Sequence, residues 1–169
     1  MRALLIGRFQ PFHNGHIKLI GEIAKSNEEL IIVVGSAQQS YTLDNPFTAG
    51  ERIEMISSAL GKTKFKQVYI IPIEDVDSNQ IWVSHVKAMV PRFDRVYSNN
   101  PLVKELFRND GREVVSTPLF RRLEQSGTNI RKLMITSEKW ENLVPASVAE
   151  VIHSIKGDER LRNLAQKDE

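Results

Sequence analysis

Residues 7–16, with the sequence GRFQPFHNGH, are the segment around which the rest of the chain is organised. They follow the apolar run Ala3–Ile6, which has the length and composition of a short buried strand. They precede residues 19–24, whose apolar side chains fall on one face of a helix. The sequence therefore predicts a turn from a strand into a helix. In alternating α/β folds such a turn lies at the carboxyl edge of the sheet, where ligands bind.

The chemistry of this turn favours a bound phosphate. Gly7 and Gly15 allow the backbone to turn tightly and to approach a ligand closely. The helix that begins near Gly15 offers free backbone N–H groups and a partial positive charge to an anion. Arg8, His13 and His16 can donate further hydrogen bonds to phosphate oxygens, and an arginine can bind two oxygens at once.

Two familiar phosphate-binding loops do not match this turn. A P-loop requires lysine after its last glycine, but His16 follows Gly15, and the G-x-G-x-x-G pattern of dinucleotide-binding folds is absent. A zinc site on His13 and His16 lacks a suitably spaced third ligand, and the chain has no cysteine. His16 alone could be a core histidine, because it lies one turn before an apolar helix face. Two histidines, an arginine and two glycines in one turn favour the phosphate site.

The composition predicts one soluble domain. A chain of 169 residues with 41% hydrophobic residues is long enough to bury a proper core. Its 23 basic and 21 acidic residues give a net charge of +2, which is too even for a dedicated nucleic-acid or membrane surface. The absence of cysteine fits a reducing cytosol and excludes disulfides and thiolate chemistry. Because no apolar run has the length of a membrane span and Met1 leads into a strand, we expect a cytoplasmic protein.

Strand-like and helix-like segments alternate along the chain. After the first strand, the further predicted strands are residues 30–35, 67–72, 94–97 and 113–115. A capping box of Thr48 and Glu51 begins one helix, and Pro101 occupies the first position of another. This alternation predicts an α/β fold, a Rossmann-like doubly wound parallel sheet of about five strands. We expect a single domain over residues 1–169, with a helical C-terminal segment from about residue 126.

Polar residues follow several of the predicted strands, so they meet at one edge of a parallel sheet. Ser36, Asp75 and Asn99 lie in such positions after three different strands. Asp75 begins a segment that resembles the start of a calcium-binding loop but lacks the glycine and glutamate that such a loop requires. Asp75 and Asn79 are therefore better interpreted as hydrogen-bond partners of a polar ligand. Trp82 could stack on a planar ring, and a place in the core is equally compatible with the sequence.

A second phosphate-binding motif is predicted at residues 126–131, SGTNIR. Ser126 or Thr128 is a natural N-cap for a short helix. Arg131 then lies in the first turn, where an exposed cation costs roughly 0.3–1 kcal/mol against the helix dipole. A bound polyphosphate would reverse this effect, because the cation, the hydroxyls and the free N–H groups would all face anionic oxygens.

With both motifs identified, the chain is similar to the archaeal-type nicotinamide-nucleotide adenylyltransferases, within the nucleotidyltransferase superfamily that carries a two-histidine HxGH motif. The resemblance extends over nearly the full length, and its last segments are not shared by the superfamily at large. The matching segments are GRFQPFHNGH, GSAQQSYTLDNPFTAGER, SNQIWVSH, YSNNPLV, SGTNIR, KWENLVP and GDERLRNLA, in that order.

The resemblance implies transfer of AMP from ATP to the 5′-phosphate of nicotinamide mononucleotide (NMN), which gives NAD and pyrophosphate. The ATP-binding residues that it implies are Gly7, Arg8, Phe9, His13, Gly15, His16, Ser126, Thr128 and Arg131. The implied catalytic residues are His13, His16, Arg8 and Arg131. The implied mononucleotide pocket consists of Ser36, Asp75, Asn79, Trp82 and Asn99. The resemblance also implies Mg²⁺ held mainly by the phosphates, with no protein metal site, and a homo-oligomer, for which a hexamer is expected.

Three other functions remain open on the residues alone. A sibling adenylyltransferase that acts on phosphopantetheine or a flavin nucleotide would keep both phosphate motifs and change the acceptor pocket. An RNA-binding module is suggested by two basic pairs, Arg121 with Arg122 and Arg131 with Lys132. A charge near neutrality and 7% aromatic residues without a stacking motif argue against RNA. A non-catalytic nucleotide sensor would keep the site without turnover.

Overall fold

A five-stranded parallel sheet is the central element of the computed structural model, which describes residues 1–61, 63–117 and 126–166. The strands are β1 (Arg2–Gly7), β2 (Glu29–Val34), β3 (Gln67–Pro72), β4 (Arg95–Tyr97) and β5 (Glu113–Val115). Their order across the sheet is β3-β2-β1-β4-β5, and every neighbouring pair is parallel. The predicted Rossmann-like parallel sheet is confirmed. Each strand begins and ends within about one residue of its predicted bounds.

Helices occupy the connections between the strands and the C-terminal part of the chain. They are α1 (Asn14–Ile23), α2 (Ala49–Leu60), α3 (Asn79–Met89), α4 (Pro101–Asn109), α5 (Gly127–Ile135), α6 (Ala146–Ser154) and α7 (Gly157–Leu164). A short 3-10 helix, Glu141–Leu143, lies between α5 and α6. No helix in the described ranges is long and apolar enough to cross a lipid bilayer.

Local sequence sets the first turns of several helices. The Thr48 hydroxyl accepts a hydrogen bond from the Glu51 N–H at 3.1 Å, and the Glu51 carboxylate accepts one from the Thr48 N–H at 2.9 Å. The predicted capping box is thus confirmed, and it satisfies two backbone donors that would otherwise lack partners. Helix α4 begins at Pro101 as predicted, and Asn100 caps it. Because these signals lie within four residues of each helix start, they can be found in the sequence.

The chain divides into two compact units, each assembled from several segments. The first unit consists of Met1–Gly7, Leu19–Ala37 and Thr63–Pro118, and it contains the whole sheet. The second unit consists of Arg8–Lys18, Gln38–Lys62 and Leu119–Glu169, and it contains α2, α5, α6 and α7. The single domain expected from the sequence stays a prediction.

The core of the first unit lies on the sheet. Strand β2 is buried throughout its apolar part, which explains its continuous run of leucine, isoleucine and valine. On one face Leu4, Ile31 and Val33 pack with Val86 of α3 and Phe107 of α4. Full burial of such a side chain stabilises the fold by about 1.5–3 kcal/mol. The packed core fixes the strand ends from which the loops at the carboxyl edge emerge.

The core of the second unit is helical. Helix α2 packs against α6, and both α5 and α6 pack against α7. Phe47 is fully buried beside the first turn of α7. A Cβ atom on Gly157 would lie 2.6 Å from Cε1 of Phe47, so glycine is required for this close approach.

Arg52, on α2, is fully buried in the second unit. Its Nε donates to the Thr48 carbonyl at 3.2 Å, and its Nη1 donates to the Arg8 carbonyl at 2.9 Å. The sequence did not predict this burial, because arginine is rarely buried and local pattern shows no partner for it. Arg52 therefore fixes the backbone of the second unit where the segment of residues 7–16 begins.

A long-range ion pair joins α7 to the start of α2. The Arg160 guanidinium donates to both Glu51 oxygens, at 2.8 and 2.7 Å, and to the Pro46 carbonyl at 2.9 Å. Burial raises the pKa of Glu51, but the hydrogen bonds from Arg160 and the Thr48 backbone outweigh this effect, so the net pKa of the carboxyl is lowered. Arg160 also lies over the Tyr41 ring, 4.2 Å from its centroid. One carboxylate thus serves both the capping box and the packing of α7.

Candidate active site

A small open cavity of about 140 Å³ in the second unit has walls formed by both predicted phosphate-binding motifs. The residues that line it are Arg8, Phe9, Gln10, Pro11, His13, His16, Gly127, Thr128 and Arg131. The segments 7–16 and 126–131 are distant in sequence, and the structure brings them together in one pocket.

The two histidines of the cavity stack on each other at the start of α1. Their ring centroids are 3.6 Å apart, and the rings are inclined by 28°. The backbone N–H of His13 donates a hydrogen bond to Nδ1 of the His16 ring at 3.1 Å. The rings of Phe9 and Phe12 lie beside the His16 ring, with centroid distances of 4.8 and 5.2 Å. These contacts hold the His16 imidazole in one orientation, and they give the buried Phe9 side chain a packing role in the cavity wall.

Both imidazoles are neutral at neutral pH. Burial lowers the pKa of His13 to about 4. Burial, and after it the neighbouring His13, lowers the pKa of His16 well below its usual value. Because Nδ1 of His16 accepts a hydrogen bond, its proton lies on Nε2. Nδ1 of His13 is buried and has no hydrogen-bond partner among the residues that the structure describes. The pair therefore offers hydrogen bonds, and not positive charge, to an anion.

Arg131 supplies positive charge from a buried position. Only 6% of the residue is exposed, whereas the sequence suggested a cation in an open first turn. Its Nη1 donates to the Gln10 carbonyl at 2.8 Å, and its Nε donates to the Leu43 carbonyl at 3.0 Å. A longer contact of 3.4 Å joins Nη2 to Oδ1 of Asp44. Burial lowers the pKa of Arg131, but a guanidinium keeps its charge at neutral pH.

Arg8 is the second cation of the cavity, and its side chain is exposed. Its Nη1 donates to Oδ1 of Asn45 at 3.3 Å. After burial, the positive charge of Arg8 also lowers the pKa of Arg131, because the two guanidinium groups are close enough to repel each other. Such a pair disfavours an empty cavity and favours one that holds an anion.

Gln10 and Gly127 are site residues that sequence reasoning missed. The Gln10 amide makes two hydrogen bonds with the Phe47 backbone, donating at 2.9 Å and accepting at 3.0 Å. A Cβ on Gly127 would lie 2.9 Å from the Gln10 carbonyl oxygen and 3.3 Å from Nη1 of Arg131. Glycine is therefore required where α5 meets the segment of residues 7–16. The sequence does indicate that Gly127 is special, because glycine destabilises a helix relative to alanine and its presence in the first turn suggests a steric requirement.

The remaining predicted ATP-binding residues occupy the ends of secondary structure. Ser126 caps α5, where its hydroxyl accepts a hydrogen bond from the Asn129 N–H at 3.1 Å. Thr128 lines the cavity, and Gly15 lies in the first turn of α1. Gly7 ends β1 in the first unit, where its carbonyl accepts a hydrogen bond from the Gly35 N–H at 2.9 Å. Arg121 and Arg122, the basic pair that suggested RNA binding, lie outside the described residues.

The predicted mononucleotide residues belong to the first unit, at or near the carboxyl edge of its sheet. Asp75 and Asn79 are exposed, and Ser36 is half-buried. The Asn99 side-chain amide forms hydrogen bonds with Thr117, which lies shortly after β5. It donates to the Thr117 carbonyl at 3.0 Å and to the Thr117 hydroxyl at 2.8 Å, and it accepts from the Thr117 N–H at 3.1 Å. Asn99 thus joins two neighbouring loops of the edge.

Trp82 occupies an intermediate position in the first unit. Its indole is half-buried and packs on the rim of the core formed by the sheet, α3 and α4. It meets the Phe107 ring edge-on, with a centroid distance of 5.6 Å and an angle of 76°. One part of the ring therefore contributes to the core, and another part remains accessible to a ligand.

The donor set of the cavity suits an anion better than a bare metal ion. It consists of neutral imidazoles, guanidinium groups and a helix N-terminus, all of which donate hydrogen bonds. In the described parts of the chain, no group of three or more His, Asp and Glu side chains is placed to hold a metal. A divalent ion that accompanies a polyphosphate would be held by phosphate oxygens and water.

Similarity to known proteins identifies the family. The model of the family described as cytidylyltransferase-like matches residues 4–133. A nicotinamide-nucleotide adenylyltransferase of Picrophilus torridus is 54% identical over 169 residues, which is 100% of both chains. The enzyme of that name from Archaeoglobus fulgidus is 50% identical and covers 99% of both chains. The chain belongs to the nicotinamide-nucleotide adenylyltransferase family. The family predicted from the resemblance over nearly the full length is confirmed.

One solved structure has the same fold as this chain. It is the crystal structure of a bifunctional NMN adenylyltransferase/ADP ribose pyrophosphatase from Francisella tularensis, complexed with AMP and a manganese ion. The TM-score is 0.80 at 19% identity, over 96% of this chain. The chain spans about half, 51%, of the length of that bifunctional protein. At this identity the likeness concerns the fold.

Proposed function

We propose that this chain transfers AMP from ATP to the 5′-phosphate of NMN and releases pyrophosphate. The observation that carries the proposal is that two neutral histidines, Arg8 and Arg131 line the same cavity. The full-length relatives named nicotinamide-nucleotide adenylyltransferase support the choice of acceptor. In this reaction an oxygen of the NMN phosphate attacks the α-phosphorus of ATP, and the bond to the pyrophosphate oxygen breaks.

The residues of the cavity suit this chemistry without a covalent intermediate. Transfer of a phosphoryl-type group depends mainly on positioning and on neutralising charge. His13 and His16 would donate hydrogen bonds from a fixed, half-buried position, where such bonds are stronger than in water. Arg8 and Arg131 would stabilise the negative charge that develops on the leaving pyrophosphate. Mg²⁺, when bound with ATP, would neutralise further phosphate charge.

The acceptor side of the proposal rests on the first unit. We assign Ser36, Asp75, Asn79, Trp82 and Asn99 to the mononucleotide pocket. The accessible part of the Trp82 ring is suited to stacking on a nicotinamide. Asp75 and Asn79 are exposed polar residues a few positions earlier in the chain. Asn99 would act by holding its loop in place through Thr117.

Four further properties belong to the proposal. We propose that Mg²⁺ is the metal that accompanies ATP and that the protein is located in the cytoplasm. We also propose that residues 1–169 form one functional domain and that the chain assembles into a homo-oligomer, specifically a hexamer.

The assay that tests the function is incubation of the purified protein with ATP, Mg²⁺ and one candidate acceptor at a time. With NMN, mass spectrometry should detect NAD, and one pyrophosphate should be released per NAD formed. Phosphopantetheine and flavin mononucleotide serve as competing acceptors. Product from either of them, and none from NMN, would reject the proposed acceptor and retain the adenylyltransferase chemistry. ATP binding without any product would favour the nucleotide sensor.

A further inference from the structure

The segment of residues 41–46, here named the 41–46 loop, contacts both cations of the proposed phosphate site. Asp44 approaches Nη2 of Arg131 at 3.4 Å, and the carbonyl of Leu43 accepts from Nε of the same guanidinium at 3.0 Å. The next residue, Asn45, accepts from Nη1 of Arg8 at 3.3 Å. Two consecutive side chains of one loop thus face the two cations that would bind a polyphosphate.

The loop itself is a built structure. Asn45 is only 6% exposed, its N–H donates to the Thr42 hydroxyl at 3.0 Å, and its amide donates to Oε1 of Gln39 at 2.9 Å. The Pro46 carbonyl accepts from Arg160 of α7 at 2.9 Å. The position of Asn45 beside Arg8 is therefore fixed by the fold and does not depend on Asp44.

The Asp44 side chain, unlike that of Asn45, is free enough of its surroundings to be displaced from Arg131 by a ligand. It is 82% exposed, whereas Asn45 is 6% exposed and the Arg131 side chain is 8% exposed. Its contact with Arg131 is long, while the two bonds from Arg131 to backbone carbonyls are short. An ion pair with one exposed partner contributes little to stability. Removing the Asp44 carboxylate should therefore leave the loop and the Arg131 side chain where they are.

We propose that Asp44 is a specificity-determining residue that competes with the phosphates of the nucleotide for Arg131. Its negative charge partly satisfies the guanidinium in the absence of nucleotide and repels anionic oxygens when they approach. The penalty grows with the number of phosphate charges, so Asp44 weakens binding of ATP and pyrophosphate more than binding of AMP. Release of pyrophosphate, the product with the highest charge density, is favoured by the same residue. This inference rests on the proposed function, because it assumes that the cavity holds polyphosphate.

The test compares Asp44→Asn with the unsubstituted protein by titration calorimetry, using adenosine, AMP, ATP and pyrophosphate. The asparagine keeps the size of the side chain and removes its charge. Adenosine should bind equally to both proteins, and ATP and pyrophosphate should bind about 2- to 5-fold more tightly to the variant, which is the range for an exposed ion pair. In high salt, at about 1 M, the difference should disappear, because the screening length falls to about 3 Å.

Glu150→Gln is the matched control, since Glu150 is an exposed acid on α6 and its removal changes the net charge equally. This variant should bind all four ligands like the unsubstituted protein. A structural role for Asp44 predicts the opposite of our proposal: a lower melting temperature and weaker ATP binding in Asp44→Asn. Equal ATP affinity in the unsubstituted protein and Asp44→Asn would also overturn the inference while leaving the proposed function intact. Failure of the unsubstituted protein to bind ATP would reject both together.

Discussion

The two units of this protein present their predicted ligand-binding residues in different ways. In the second unit, residues from two distant motifs line one cavity, and buried contacts fix most of them: His16 between aromatic rings, Arg131 on two carbonyls. In the first unit, the predicted acceptor residues lie on three separate loops and a helix, and Asp75 and Asn79 are exposed. The difference indicates that the proposed phosphate site in the second unit is preorganised, whereas the proposed acceptor residues in the first unit form a more adaptable surface.

The preorganised site should depend most strongly on its histidines. We expect His13→Ala and His16→Ala each to lower kcat by about 10²- to 10³-fold with little change in KM for ATP, because their hydrogen bonds strengthen as charge develops in the transition state. Steady-state kinetics with a melting curve for each variant provide the measurement. His16→Ala also removes packing against Phe9 and Phe12, so its melting temperature should fall. If the folded fraction of His16→Ala turns over at the full rate, the residue serves the core alone.

Burial of the two histidines should also make stability depend on pH. The pKa of His13 is about 4 in the folded protein, against an ordinary value of 6.5, so only the unfolded chain takes up this proton between those values. The free energy of unfolding should therefore fall as the pH falls from about 6.5 to about 4, by an amount on the order of 3 kcal/mol for His13. His16, whose pKa is also lowered, acts in the same direction.

Urea denaturation at pH 5 and pH 7 measures this effect, at values above those where Glu51 titrates. His13→Gln should reduce the difference in unfolding free energy between the two pH values. An unchanged difference in His13→Gln would show that His13 titrates normally and that its environment is more polar than the contacts indicate.

In the adaptable unit, Trp82→Ala should weaken NMN binding by ~1–3 kcal/mol, by analogy with the loss of one stacked base, and leave ATP binding unchanged. Calorimetric titration of both ligands tests this selectivity. Val86→Ala is the control, since Val86 is fully buried in the same helix and its truncation should lower stability without a preference between ligands. Trp82→Ala that resembles Val86→Ala, with both ligands weakened and a much lower melting temperature, would assign the indole wholly to the core.

Two glycines in the second unit test how rigidly α5 is held against residues 7–16, because one is tightly packed and the other is not. Gly127→Ala places a Cβ 2.9 Å from the Gln10 carbonyl and should cost about 1–3 kcal/mol of stability through overpacking. Gly50→Ala, in the first turn of α2, has its nearest neighbour at 4.0 Å and should stabilise the protein by about 0.5–1 kcal/mol. Thermal unfolding of both variants should show melting temperatures that move in opposite directions. Equal shifts would mean that α5 can move away from residues 7–16 without cost.

The sequence predicted most of the fold because the relevant signals are local. Strand β2 is a continuous apolar run, and the capping box at Thr48 needs only four residues to form. The two motifs that line the cavity could also be found in the sequence, since each of them is contiguous, and their role in binding phosphate stays a prediction. The partners of these residues were not predictable: the burial of Arg52, the contact of Asp44 with Arg131 and the attachment of Asn99 to Thr117 join residues that are distant in sequence. No periodicity or spacing rule encodes which carbonyl an arginine will meet.

The pairing of Arg160 with Glu51 has a consequence for how the protein is made. A ribosome delivers the chain from the N-terminus, and domains generally fold as complete units once their residues are available. The segments of residues 8–18 and 38–61 emerge early, yet the capping carboxylate of α2 finds its arginine only when α7 has been synthesised. Until then the Glu51 carboxylate can serve the capping box of α2, but it has no guanidinium to bind. The second unit therefore acquires this long-range ion pair only after residues 51 and 160 are both present.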